Sequence, residues 1–142
     1  MGDAVSWWQR LIRRKAATLP EPNWGRRSQF ATVEWLVPWK PINDVVRAAH
    51  LKNELAREVC ETHLLKGRDA EFIAARQDRD DFLVALEQGE VASVHLTWSR
   101  ETDPAFPGTT LYPSFDEWRR TEMLPDAQEW EEIEQDYLKS GA

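Results

Sequence analysis

Residues 70–98 read AEFIAARQDRDDFLVALEQGEVASVHLTW. Three short apolar runs, 70–77, 81–87 and 91–98, are separated by Asp78-Arg79-Asp80 and by Gln88-Gly89, both turn-forming clusters. In the second run Phe82, Val84 and Leu86 share a face. In the third, the pleat separates Ala92, Val94, Leu96 and Trp98 from Ser93, His95 and Thr97. Ala85, Leu86 and Glu87 are good helix formers, but the acid-rich turn before them and Gly89 after them favour a strand. The stretch predicts a three-stranded antiparallel meander, and the rest of the chain is placed around it.

Upstream, residues 43–63 carry Val45, Ala48, Leu51, Leu55 and Val59 at spacings of three and four, which predicts a helix. Asn43 is its expected cap, Arg57 and Glu61 its expected ion pair, and Gly67 its stop. Residues 30–37 (FATVEWLV) alternate and predict a further strand, ended by Pro38-Trp39-Lys40-Pro41 because proline donates nothing to a ladder. Trp39, between two prolines, is expected to be partly exposed. Downstream, 99–113 (SRETDPAFPGTTLYP) reads as a long loop, a class that is usually functional or disordered. Ser114 with Glu117, and Asp126 with Glu129, are the expected starts of two closing helices. The fold expected is α+β: an antiparallel sheet of three to four strands, helix 43–63 on one face and two C-terminal helices. It occupies 30–142 as a single domain. Residues 1–29 stand apart as an amphipathic basic helix over 6–19 (Trp8, Ile12, Ala16 and Leu19, widened by Trp7 and Leu11) and a linker over 20–29.

The 142 residues are enough for one cored domain, and the one cysteine, Cys60, excludes an internal disulfide framework. The net charge of −7 is unevenly spread. Residues 1–29 are net +4 and residues 101–142 net −8. Nucleic-acid binding rests on clustered Lys/Arg, so the domain has the wrong sign for it, and a basic protein partner fits better. No run approaches a membrane span, no secretory signal is recognisable, and the expected location is cytoplasmic. Met1-Gly2 with Ser6 matches the sparse myristoylation pattern, and the 6–19 segment suits an anionic membrane surface as a lesser possibility. No feature sets an oligomeric state.

Cys60 and His63 have half the spacing of a zinc site, but the other histidines, His50 and His95, belong to other elements. A hydrogen-bonded core histidine is the better reading of His63. Cys60 is expected to be structural, with Glu58 and Glu61 raising its pKa. Asp78, Asp80 and Asp81 lack the remainder of a calcium loop and read as a turn. No cofactor, metal or catalytic residue is assigned, and the balance is against an enzyme. The binding residues expected are Trp39, His95, Thr97, Ser99, Arg100, Phe106 and Tyr112.

The stretch from Leu51 to Trp130 resembles a family of small bacterial proteins of unassigned role. The resemblance rests on Leu-x-x-Glu-Leu at 51–55, Asp78-Arg79-Asp80-Asp81-Phe82-Leu83, Val94-His95-Leu96-Thr97-Trp98-Ser99, Glu117-Trp118, and Met123 with Asp126. It covers a little over half the chain and implies no catalytic residue. The function expected is a non-enzymatic protein-binding protein, such as an inhibitor or immunity protein for a basic partner. The alternative is a small-ligand or enzymatic site on the outer sheet face around His95. Of the eight tryptophans, Trp35, Trp98, Trp118 and Trp130 fall on apolar faces and are expected in the core. Trp7 and Trp8 belong to the basic helix, which either docks on the domain or contacts a partner, and Trp24 and Trp39 lie in proline-flanked segments with no assigned packing role.

Overall fold

The computed structural model describes residues 24–141. Five strands form one antiparallel sheet in chain order: β1 (Trp39–Pro41), β2 (Glu71–Arg76), β3 (Asp81–Ala85), β4 (Val91–His95) and β5 (Gly108–Tyr112). Around it lie α1 (Trp24–Ser28), α2 (Val45–Glu58), α3 (Phe115–Trp118) and α4 (Leu124–Ser140). The class is α+β, and β2, β3 and β4 sit inside the three runs of the meander. The amphipathic segment 6–19 and the Gly2 motif lie outside the described residues.

The strand expected over 30–37 does not form. Residues 29–33 fold back in consecutive turns, with Gln29, Phe30, Ala31 and Val33 bonding carbonyls three residues earlier. The strand begins where it was expected to stop. Trp39, Lys40 and Pro41 pair with Arg76, Ala75 and Ala74, and an outermost strand is where a sheet accepts proline. The fifth strand comes from the stretch read as loop. Gly108 pairs with His95 and Tyr112 with Val91, so 99–113 is a loop only as far as Pro107.

Both faces of the sheet are covered. On one, Phe72, Phe82, Val84, Ala92, Val94 and Leu96 pack under Ala48, Leu51 and Leu55 of α2. On the other, Ile73, Ala74, Leu83, Ala85 and Val91 pack under Trp39, Trp118 and Met123, flanked by Phe30, Trp35, Leu36, Tyr112 and Phe115. Ile73 and Ala74 are consecutive yet share a core because the register of β2 against β3 shifts between Phe72 and Ala74, a bulge that adds a residue to one strand. Trp118 is the hub of the second core. Its ring centroid lies 4.9 Å from Trp39, 5.5 Å from Phe115 and 6.2 Å from Trp35, and such pairs each add about 1 kcal/mol beyond area burial.

Helix α2 is shorter than expected. Asp44, not Asn43, caps it, its carboxylate accepting the N–H groups of Val46 at 2.9 Å and Arg47 at 3.2 Å. It ends at Glu58, and turns carry the chain to Gly67, whose φ of +75° suits glycine. Arg57 pairs with Glu54 rather than Glu61, which is taken by Lys66. The linker expected over 20–29 is anchored from α1 onward. Arg26 donates to the Asp69 carboxylate and the Ala85 carbonyl, and Arg27 to Glu71 and the carbonyls of Ile42 and Phe72.

At the C-terminus Ser114 caps α3 by accepting the Glu117 N–H at 3.2 Å. The second capping box fails, because α3 runs through a π-helical turn (Arg119–Met123) into α4 without a break. Asp126 therefore has no free helix start to cap. It accepts the Trp39 indole N–H at 2.9 Å and meets Arg76 at 3.1 Å.

Candidate interaction surface

The seven residues expected to bind do not form one site. Trp39 is 1% exposed and belongs to the core, because its strand is paired and its indole N–H is bonded to Asp126. Tyr112 is half-buried under the C-terminal helices and bonds the Glu122 carboxylate. Burial, and then the hydrogen bond to that carboxylate, push its hydroxyl well above the ordinary phenol range. The other five, His95, Thr97, Ser99, Arg100 and Phe106, lie at the end of β4 and along the loop that follows.

The open outer face on which the alternative site was placed is itself a core. Ser93 accepts the buried Trp118 indole N–H at 2.9 Å, so it is a hydrogen-bond partner of the core rather than a ligand contact. His95 escapes burial only by standing at the strand end. Its Nδ1 lies 2.6 Å from Asp81, which also pairs with Arg79 at 2.6 Å. Asp78 is similarly held by Arg76.

Trp98 was expected to continue the apolar face of β4. Instead the strand ends at His95, and Trp98 takes φ +59° with its side chain half exposed. A left-handed backbone is uncommon outside glycine and costs about 1 kcal/mol or more. Glu58, fully buried at the end of α2, offsets that cost. It accepts the N–H of Thr97 at 2.8 Å and of Trp98 at 2.9 Å. The Thr97 hydroxyl lies 3.0 Å from both Glu58 and Glu101, and one hydroxyl proton serves only one of them. Burial first, and then the neighbouring Glu54, push the Glu58 carboxyl above its ordinary range. His63 fixes the far end of the loop. Its Nδ1 accepts the Leu65 N–H at 3.0 Å, so Nε2 carries the proton and donates to the Pro107 carbonyl at 2.9 Å. This is the buried, hydrogen-bonded histidine expected from sequence. Cys60 lies 3.5 Å from the Thr62 hydroxyl, whose hydrogen bond lowers the thiol pKa, opposite to the expectation from its acidic neighbours. Among the described residues no three His, Cys, Asp or Glu side chains gather as a metal would need.

A second exposed feature lies at the same end of the sheet. Asp126 meets Arg76, the last residue of β2, and beside it β3 begins at Asp81 and β4 ends at His95. The 14 residues of α4 after Asp126 extend about 21 Å further at helical rise. Trp130 is half-buried, but Ile133 is 57%, Tyr137 77% and Leu138 70% exposed. Beyond Trp130, which was expected in the core, the apolar residues of α4 therefore face outward. Helical periodicity puts Glu129 and Asp136 beside Ile133 on one side of this stripe, Glu131 beside Leu138 on the other, and Glu134 between Tyr137 and Leu138. The helix carries six acids against Lys139 alone.

A cleft of about 420 Å³ between α2 and residues 65–70 offers Lys52, Lys66 and Arg68, but each is paired with an acid. No helix among the described residues is long and apolar enough to cross a membrane. Comparison with protein families, with curated proteins and with solved structures returns no match.

Proposed function

We propose that this is a non-enzymatic protein-binding protein whose partner is basic and amphipathic, as an inhibitor or immunity-type protein for a basic enzyme would require. The observation that carries the reading is the outer half of α4, where Ile133, Tyr137 and Leu138 stand exposed among carboxylates. An amphipathic helix normally buries its apolar stripe. Here the stripe offers aromatic and aliphatic anchors of the kind that dominate binding energy, and the acids around it speed encounter with a cationic surface.

The test is titration of the protein with a Lys/Arg-rich amphipathic helical peptide and with a Glu-rich one of the same apolar pattern. The basic peptide is expected to bind, to weaken with added salt, and to lose affinity when Ile133 and Tyr137 are both changed to Asp. Equal affinity for the acidic peptide, or indifference to the double substitution, overturns the reading.

A further inference from the structure

We infer that the open edge of β5 pairs with the same edge of a second copy, the two five-stranded sheets joining across a two-fold axis. The inference does not depend on the reading of α4.

The ladder fixes which backbone groups β5 turns outward. Leu96 donates to the Asp80 carbonyl at 3.1 Å, and Leu86 to that of Glu90 at 2.8 Å. Between these bonds Phe82 faces Val94 and Val84 faces Ala92, and antiparallel ladders alternate bonded with non-bonded pairs. Ala92 and Val94 therefore bond β3, which leaves Val91, Ser93 and His95 to bond Tyr112, Thr110 and Gly108. The N–H and C=O groups of Thr109 and Leu111 then point to the open edge. The side chains of Thr110 and Leu111 are exposed there.

Prolines frame this window. By the same alternation Pro107 and Pro113 also turn outward, and neither has an N–H. The Pro107 carbonyl is already held by His63 at 2.9 Å and by the Thr109 hydroxyl at 3.0 Å. The two pairing residues thus lie symmetrically about Thr110, and a second β5 laid antiparallel fills the window in one register. Thr109 faces the partner's Leu111, Leu111 the partner's Thr109, and Thr110 the partner's Thr110. A slip of two residues sets a proline opposite Thr109 or Leu111, and each such pair lacks a donor.

Charge and topology favour a copy of the same chain. Residues 104–115 contain no Asp, Glu, Lys, Arg or His, in a chain that is 30% charged with a net charge of −7. Exposed edges are normally guarded by charges, prolines or bulges, and Gly108–Tyr112 carries none, so two copies meet there without repulsion. The other edge is closed. Gln77 donates to Pro38 at 2.9 Å and Ile42 to Ile73 at 2.8 Å, so Trp39 and Pro41 are the outward residues of β1. The Trp39 N–H is taken by the Leu36 carbonyl at 2.8 Å, and Pro41 has none. With no donor on β1, head-to-tail growth is blocked and pairing closes at two copies. Five residues of strand span about 17 Å, so the dimer belongs to the weak, concentration-dependent class.

The test is sedimentation of the full chain from micromolar to millimolar concentration, where the mass is expected to rise to twice that of the monomer. Amide exchange at Thr109 and Leu111 should slow in step, while that of Thr110, bonded within its own sheet, stays constant. Thr110→Lys and Thr110→Glu each set like charges directly opposite one another. Each is expected to stay monomeric with an unchanged circular dichroism spectrum, and an equal mixture of the two should restore the dimer. A wild type that stays monomeric overturns the inference and leaves the edge to a strand of another protein. Masses above two copies, single variants that dimerise like wild type, or a mixture that stays monomeric overturn it as well. The chain with Ile133→Asp and Tyr137→Asp is expected to dimerise as wild type does, and loss of the dimer there would assign self-association to α4 instead.

Discussion

The Glu58 carboxylate accepts the backbone N–H of Trp98 at 2.9 Å across forty residues of chain, with Thr97 held beside it at 2.8 Å. One buried acid at a helix end thus fixes a left-handed turn at the end of a strand. The stability of that turn and the ionisation of that acid are one property.

Glu58→Ala is expected to destabilise the fold by about 3 kcal/mol, because it strands two amide donors and leaves a void. The pH dependence has a definite sign. A carboxyl raised by burial contributes stability that is present below its unfolded pKa and is lost as pH rises through its folded value. Measured by urea unfolding, wild type should lose stability relative to Glu58→Gln as pH rises from the acid side through that window. A difference that grows in favour of wild type with rising pH contradicts the assignment.

Trp98→Gly should be neutral or stabilising by up to about 1 kcal/mol, since glycine adopts φ +59° freely and the half-exposed indole buries little. Trp98→Val should cost about 1 kcal/mol or more. Urea midpoints in the opposite order would mean that the indole packs more than its exposure indicates.

Ser93→Ala tests whether the second sheet face is core. It leaves the Trp118 indole N–H buried without a partner and should cost about 1–3 kcal/mol. A solvent-facing serine would cost less than about 0.5 kcal/mol, so thermal or urea unfolding separates the two cleanly.

Tyr137→Ala and Ile133→Ala should each shift stability by no more than about 0.5 kcal/mol, as exposed positions do. Losses of the size seen for core truncations, about 2–5 kcal/mol, would show that the stripe is buried within the folded chain. The unfolding curves of the two variants measure this directly.

Much of the sheet was legible because β2, β3 and β4 carry strong apolar runs between acid- and glycine-rich turns. The same period misled at 30–37, where the chain turns on itself: Phe30, Trp35 and Leu36 pack against the second core, while Ala31 and Val37 of the alternating set are exposed. Strand β5 carries no comparable run. Gly108–Tyr112 is short, flanked by prolines and half covered, so its identity comes from pairing with β4. The outer face of β4 looked polar because Ser93 hides its role, which is to receive an indole from a helix 25 residues away. Glu58 gave no sequence signal, since its partners lie beyond any local window. Trp98 was within reach of inspection. It is followed by Ser99 and a run of loop residues, and the end of the strand at His95 left it outside the pleat.

The π-helical turn at Arg119–Met123 has a consequence at a distance. Trp118 and Met123, five residues apart, are both fully buried on one side of the helix, a spacing that an unbroken α-helix would turn well apart. The extra residue works as an angular offset. Remove it, and everything downstream turns by about 100°. Asp126 would leave Trp39 and Arg76, and Ile133 and Tyr137 would face another quarter of the compass. The turn is therefore the aiming device of the molecule: packing at the sheet decides, through one inserted residue, the direction in which the acidic arm presents itself.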